Sequence, residues 1–136
     1  MTLEEFITER IADDDTAAMG ASIEYGYETW TADANSVDTI TESNVAHPVE
    51  LTYNDAVAVH VARQDPQRVH RHCEFARGLL DAYRTAVAAR DSRNQHATNA
   101  FTAGQDAAAI MWLGWALQKT AAIWSDHPDY RQEWSG

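Results

Sequence analysis

Residues 66–90 read PQRVHRHCEFARGLLDAYRTAVAAR, and this stretch decides the fold. Val69, Cys73, Ala76, Leu80, Tyr83 and Val87 recur at alternating spacings of four and three, the repeat of one helical face. A second apolar set, His72, Phe75, Leu79, Ala82 and Ala86, repeats on a face about 100° away. Only the sector of His70, Arg71, Glu74, Arg77, Asp81, Arg84 and Thr85 stays polar. So wide an apolar arc predicts a central helix, packed by another helix on one side and by a sheet or the first helix on the other. Asp65-Pro66 opens it, Asp as N-cap and Pro at the first helical position.

Downstream, residues 90–98 (RDSRNQHAT) are polar and read as a loop. A last long helix is expected from about Asn99 to Trp124. Ala100, Ala103, Ala107, Ile110, Gly114, Leu117, Ala121 and Trp124 keep a seam whose small residues let a partner backbone approach closely. Its natural partner is the central helix, as an antiparallel hairpin. Met111, Trp112 and Trp115 widen the arc beyond the seam. This reads as a helix buried on most sides; the other reading is an exposed patch that meets another subunit. In the tail, Asp126 caps a final turn with Pro128 near its start, placing Tyr130 and Trp134 four apart on one face. The two aromatics either latch the tail to the core or form a presented peptide.

Upstream, Thr2 and Glu5 form a capping-box pattern, and Leu3, Phe6, Ile7 and Ile11 share a helical face. The spacing predicts a helix ending near Met19-Gly20, with Asp13-Asp14-Asp15 in water as a solvated face, or as a docking patch for a basic partner. From Glu24 to Tyr53 the period falls to two. Tyr25, Tyr27, Thr29 and Thr31 alternate, Asp33-Ala34-Asn35 supplies a turn, Val37, Thr39 and Thr41 alternate again, and Val49, Leu51 and Tyr53 follow a break at His47-Pro48. These are two or three strands of a small antiparallel meander, too small to stand without helices on one face. Residues 54–64 fit a short helix by the Asn54-Asp55 start and the alanines at 56, 58 and 62, although Val57, Val59 and Val61 alternate as a strand would. The fold class is α+β: an N-terminal helix, a small antiparallel β-meander and a C-terminal antiparallel helical hairpin, in one domain spanning 1–136.

The charge is unevenly placed. The 136 residues carry 21 acids and 10 Lys and Arg for a net −11, with 45% apolar residues and a mean hydropathy of −0.47. Residues 1–55 hold 13 of the acids against Arg10 alone, while 56–136 are close to neutral. Such a charge repels nucleic acid and anionic lipid. The arginines of the central helix scatter around it, with Glu74 and Asp81 spaced to pair with Arg77 and Arg84, so no direct nucleic-acid binding is expected. No run approaches the ~18 apolar residues that span a bilayer, and the N-terminus is acidic where a signal peptide is basic, so the expected place is the cytoplasm.

The chemistry-bearing residues form no recognisable set. His60, His70, His72 and Cys73 lie close in sequence, but His70 and His72 sit two apart on a helix and point about 200° from each other. No metal site and no cofactor are expected, and Cys73 lies on the apolar seam as a small hydrophobe. No Gly-x-Ser-x-Gly or Gly-x-x-x-x-Gly-Lys occurs, so no catalytic residue is assigned.

Three stretches carry a resemblance: Leu3-Glu4-Glu5-Phe6 through Arg10 with Asp13-Asp14-Asp15; His60-Val61-Ala62-Arg63-Gln64-Asp65-Pro66 with Arg68-Val69; and Asp126-His127-Pro128-Asp129-Tyr130-Arg131-Gln132-Glu133-Trp134. Together they resemble the actinobacterial and actinophage domain-of-unknown-function family 6221. The 9 arginines, 24 alanines and single lysine suit a high-GC bacterial source. The middle departs from the family's usual Pro-Gly-Pro-Trp-like strand entry, beginning Glu24-Tyr25-Gly26-Tyr27. The resemblance implies a bacterial or phage cytosolic setting and a self-contained domain; it transfers no functional residue.

Two classes of function compete. The first is a non-enzymatic interaction or regulatory protein, possible as a homodimer, offering a protein partner Asp13, Asp14, Asp15, Glu24, Glu28, Trp112, Trp115, Tyr130 or Trp134. In a narrower form its carboxylates mimic nucleic acid. The second is a small ligand-binding domain or enzyme with a pocket between sheet and helices lined by His60, His72 and Tyr83.

Overall fold

A computed structural model describes residues 1–25, 29–33, 36–40, 46–51, 55–94 and 99–135. Its elements run α1 (Leu3–Tyr25), β1 (Trp30–Asp33), β2 (Ser36–Ile40), β3 (Ala46–Leu51), α2 (Asp55–Ala62), α3 (Pro66–Asn94) and α4 (Ala100–Ala121), followed by single 3-10 turns at Ala122–Trp124 and Gln132–Trp134. The architecture is α+β. By contacts the chain divides into two compact units, residues 12–73 and residues 1–11 with 74–136, the divisions falling within α1 and α3.

Helix starts follow the sequence closely. Thr2 N–H donates to Glu5 Oε2 at 2.7 Å and Glu5 N–H to Thr2 Oγ1 at 3.2 Å, the reciprocal capping box. Arg68 N–H donates to Asp65 Oδ1 at 2.7 Å at the start of α3. Asn99 caps α4, its side-chain oxygen accepting from Thr102 N–H at 2.9 Å.

Helix ends do not. Instead of stopping near Met19-Gly20, α1 runs to Tyr25, because Gly20 keeps helical backbone and supplies no left-handed stop. Glu24 and Tyr25 therefore belong to a helix, not to the first strand. Likewise α3 continues through Asn94, taking in half of the expected loop, and Arg93 in its last turn makes a two-pronged ion pair with Asp106 of α4.

In the 12–73 unit the three strands form an antiparallel sheet in the order β1-β2-β3. Trp30 pairs with Thr39 and Ala32 with Val37, so Asp33, expected in the turn, closes β1 opposite Ser36. The supposed break at His47-Pro48 lies inside β3. Pro48 stands opposite Asp38 while Glu50 stands opposite Val37, which leaves Val49 as an extra residue in a bulge. A bulged edge strand is where a residue without an N–H fits a sheet. Of residues 54–64, Asp55–Ala62 form a helix and Asn54 lies outside the described residues: α2 lies on β1 and β2 and buries Ala58 and Ala62, four apart, against Val37, Trp30 and Ala32. Val59, the centre of the strand-like alternation, is exposed. His70 Nδ1 of α3 meets Asp15 Oδ1 of α1 at 2.6 Å.

In the other unit α3 and α4 are antiparallel. Tyr83 lies against Gly114, where an added Cβ would be 3.7 Å from its ring, and Arg93, further along α3, meets the earlier Asp106 of α4. The core holds Phe6, Ile7 and Ile11 of α1, Ala76 and Leu80 of α3, Leu117 and Ala121 of α4, and Trp134 of the tail. The first seam of α3 is thus its packed face. Its second set is largely at the surface: His72, Phe75 and Ala82 are exposed, Phe75 by 67%. The seam of α4 is buried only toward its C-terminal end, since Ala100, Ala103 and Ala107 are exposed and Leu117 and Ala121 are buried.

Candidate functional site

The two faces of α4 set up the candidate site. Its inner face turns Leu117 and Ala121 into the core, with Gly114 half-buried beside Tyr83. About 140° away at 100° per residue runs a second apolar stripe: Phe101, Gly104, Ala108, Met111, Trp112 and Trp115. Phe101 is 74% exposed, Met111 59%, Trp112 63% and Trp115 51%. Here the structure corrects the reading that Trp112 and Trp115 are buried on most sides, because the partner helix covers only the inner face. The two indoles pack edge to face with centroids 6.3 Å apart, and Lys119 Nζ lies 5.7 Å from the Trp115 ring. Each ring thus supports the other while most of its surface meets water.

The tail aromatics have the opposite fate. Trp134 is 7% exposed and Tyr130 half-buried. Both stand around the fully buried Phe6, at centroid distances of 5.0 and 6.0 Å, joined by Trp124 and His127. The expected shared helical face is replaced by an extended Arg131 and a 3-10 turn, which still bring the Tyr130 and Trp134 rings to 5.8 Å. Buried Arg10 crosses this cluster, its guanidinium 5.4 Å from the Phe6 ring centre and its Nη1 donating to His127 Nδ1 at 3.2 Å. Asp129 N–H donates to the same Nδ1, so the neutral ring carries its proton on Nε2. The arrangement latches the tail.

The acidic residues are partly occupied. Asp15 meets His70, Glu4 Oε2 accepts from Arg84 Nε at 3.1 Å, and Glu5 closes the capping box. The hydrogen bond from Thr2 N–H holds the Glu5 carboxyl below its ordinary value of 4.5. Asp13 is exposed and Asp14 half-exposed. Asp38 is buried and accepts from Ser36 Oγ at 2.9 Å, so it is not displayed. Glu28 lies outside the described residues, and of Glu24 only the helical backbone is described.

A family model described as a family of unknown function, DUF6221, matches residues 1–136. The chain belongs to this family. No curated protein and no solved structure matches it.

In this DUF6221 chain the expected pocket residues His60 and His72 belong to the 12–73 unit and Tyr83 to the other. Tyr83 lines a groove of about 310 Å³ with Thr2, Leu3, Glu4, Gly114, Leu117 and Gln118, and His60 and His72 are each exposed. Among the described residues no three His, Cys, Asp or Glu side chains are grouped to hold a metal ion. No helix of the described residues is long and apolar enough to cross a membrane. Sequence reasoning missed the Arg10–His127 and Asp15–His70 pairs. Both join residues more than fifty positions apart, and nothing local in the sequence marks them.

Proposed function

We propose that this DUF6221 protein is a non-enzymatic interaction or regulatory protein of bacterial or phage origin, working in the cytoplasm, that docks a protein partner through the outer face of α4. One observation carries the reading: four large apolar side chains, two of them tryptophans, stand more than half exposed on one helical stripe. Stripes of this kind on a soluble chain mark interaction sites, and tryptophan is the residue type most enriched at binding hot spots. The acidic residues 1–55 add a long-range field that selects against anionic partners such as nucleic acid and membranes. A single buried cysteine suits a reducing compartment.

The test compares the wild-type chain with the double variant Trp112→Glu/Trp115→Glu as bait at physiological salt. Because both rings are exposed, the variant is expected to keep its helical circular dichroism and melting temperature while losing captured protein. A partner retained equally by the folded variant would overturn the assignment of this face.

A further inference from the structure

We propose that the outer face of α4 receives a second copy of the same chain, the two α4 helices packing antiparallel about a two-fold axis at Ala108. This rests on the reading of that face as a docking surface and names its occupant. The stripe is graded in size: one end is small, with Gly104 and Ala108, and the other large, with Met111, Trp112 and Trp115. An isologous interface requires a surface to complement itself. With the axis at Ala108, Trp112 of one copy stands level with Gly104 of the other, and Trp115 level with Phe101. The indole then enters as a knob the hole whose floor is Gly104 and Ala108. A parallel arrangement would set large against large and leave a gap at the small end.

Gly104 is compatible with such close packing. It sits inside a helix, where glycine is less favourable than alanine, yet a Cβ added there would meet nothing within 4 Å. Gly20 and Gly78 are equally open, and what distinguishes Gly104 is its place on the stripe, where the open space leaves room for a second helix to approach. Charge agrees. Between Ala100 and Gln118 the only charged residue is Asp106, half-buried and held by Arg93, and Lys119 stands at the end of the stripe over the Trp115 ring, where its ammonium group stays at the rim of the interface. Area sets the size of the interface. At roughly 200 Å² per large side chain, the exposed parts of the four amount to roughly 500 Å² per copy. With all of it covered, two copies together reach about 1,000 Å², the lower limit for a specific interface, so the dimer is a small one. Because each copy carries −11, added salt screens their repulsion and tightens the dimer.

The experiment is sedimentation equilibrium from 1 to 500 µM on the full chain and on three variants. Wild type is expected to pass from monomer to dimer and to dimerise more tightly at 500 mM than at 50 mM NaCl. Gly104→Leu, whose side chain enters open space in the monomer, should fold normally and raise the dissociation constant at least tenfold. Ala108→Cys, lying on the axis, should form a disulfide-linked dimer under mild oxidation. Ala100→Cys, about 24 Å from its mate along the helices, should not. Wild type, whose Cys73 is buried, controls for other cross-links. A monomer at 500 µM overturns the proposal, as does a dimer indifferent to Gly104→Leu or one that cross-links Ala100→Cys as readily as Ala108→Cys. A monomer whose capture of another protein is lost in Trp112→Glu/Trp115→Glu sinks only the second copy as occupant. A dimer untouched by that double variant sinks both readings.

Discussion

Glu5 shows how far a single residue can be read. Thr2 and Glu5 three apart announce a capping box, and both of its hydrogen bonds are present. Since the Thr2 N–H stabilises the charged carboxylate, its folded-state value lies below the unfolded one. The contribution of the box is therefore fully present above the ordinary value of 4.5 and is lost as pH falls through the lower folded value. A carbon-detected NMR titration should place the Glu5 midpoint below 4.5, and Thr2→Ala should return it toward that value. An unshifted midpoint in the wild type would mean the box does not form. Residues whose partners are distant in sequence were not legible in this way. Arg10 looked like one base among many acids, and only the fold delivers His127 to it.

Among the elements, α4 carries the sharpest contrast. Its two apolar stripes look equally suited to burial in a helical wheel, yet Leu117 is 1% exposed and Phe101, Met111, Trp112 and Trp115 mostly face water. Leu117→Ala should cost about 2–5 kcal/mol by chemical denaturation, because the cavity lies in packed surroundings. Phe75→Ala, on the unburied set of α3, should change stability by no more than about 0.5 kcal/mol. Equal losses at the two positions would show that the second face of α3 is packed after all. Periodicity was sufficient for the existence and direction of the helices and for α2, where Ala58 and Ala62 prevail over the valine alternation. It was insufficient at the ends of α1 and α3, since a glycine or a polar run permits a stop without requiring one. The same holds for Pro48, which reads as a break but sits at a bulge in an edge strand.

For the molecule as a whole, two predictions follow from the tail and from the charge. Trp134, nearly buried against Phe6, ties the C-terminus to the first turns of α1. Trp134→Ala should destabilise the chain by about 3 kcal/mol or more. It should also raise hydrogen exchange at residues 3–11; unchanged exchange there would deny the tail its role as a latch. The net charge of −11 destabilises the compact state by self-repulsion. The melting temperature should accordingly rise between 20 and 500 mM NaCl at a fixed low protein concentration, where association contributes little. A fall would mean that attractive pairs such as Arg93–Asp106 and Glu4–Arg84 dominate instead.

By itself the sequence determined the α+β class, the helix starts, the packed seam of α3 and the concentration of acid in residues 1–55. These depend on spacing, capping chemistry and composition, which are local properties of the chain. Only the tertiary structure decided which of two apolar stripes on α4 is buried, how far α1 and α3 extend, and that Tyr83 lines a groove with Gly114 and Leu117. Burial is settled by the availability of a partner surface. One neighbouring helix can cover one face, and the stripe left over is the feature on which the proposed function rests.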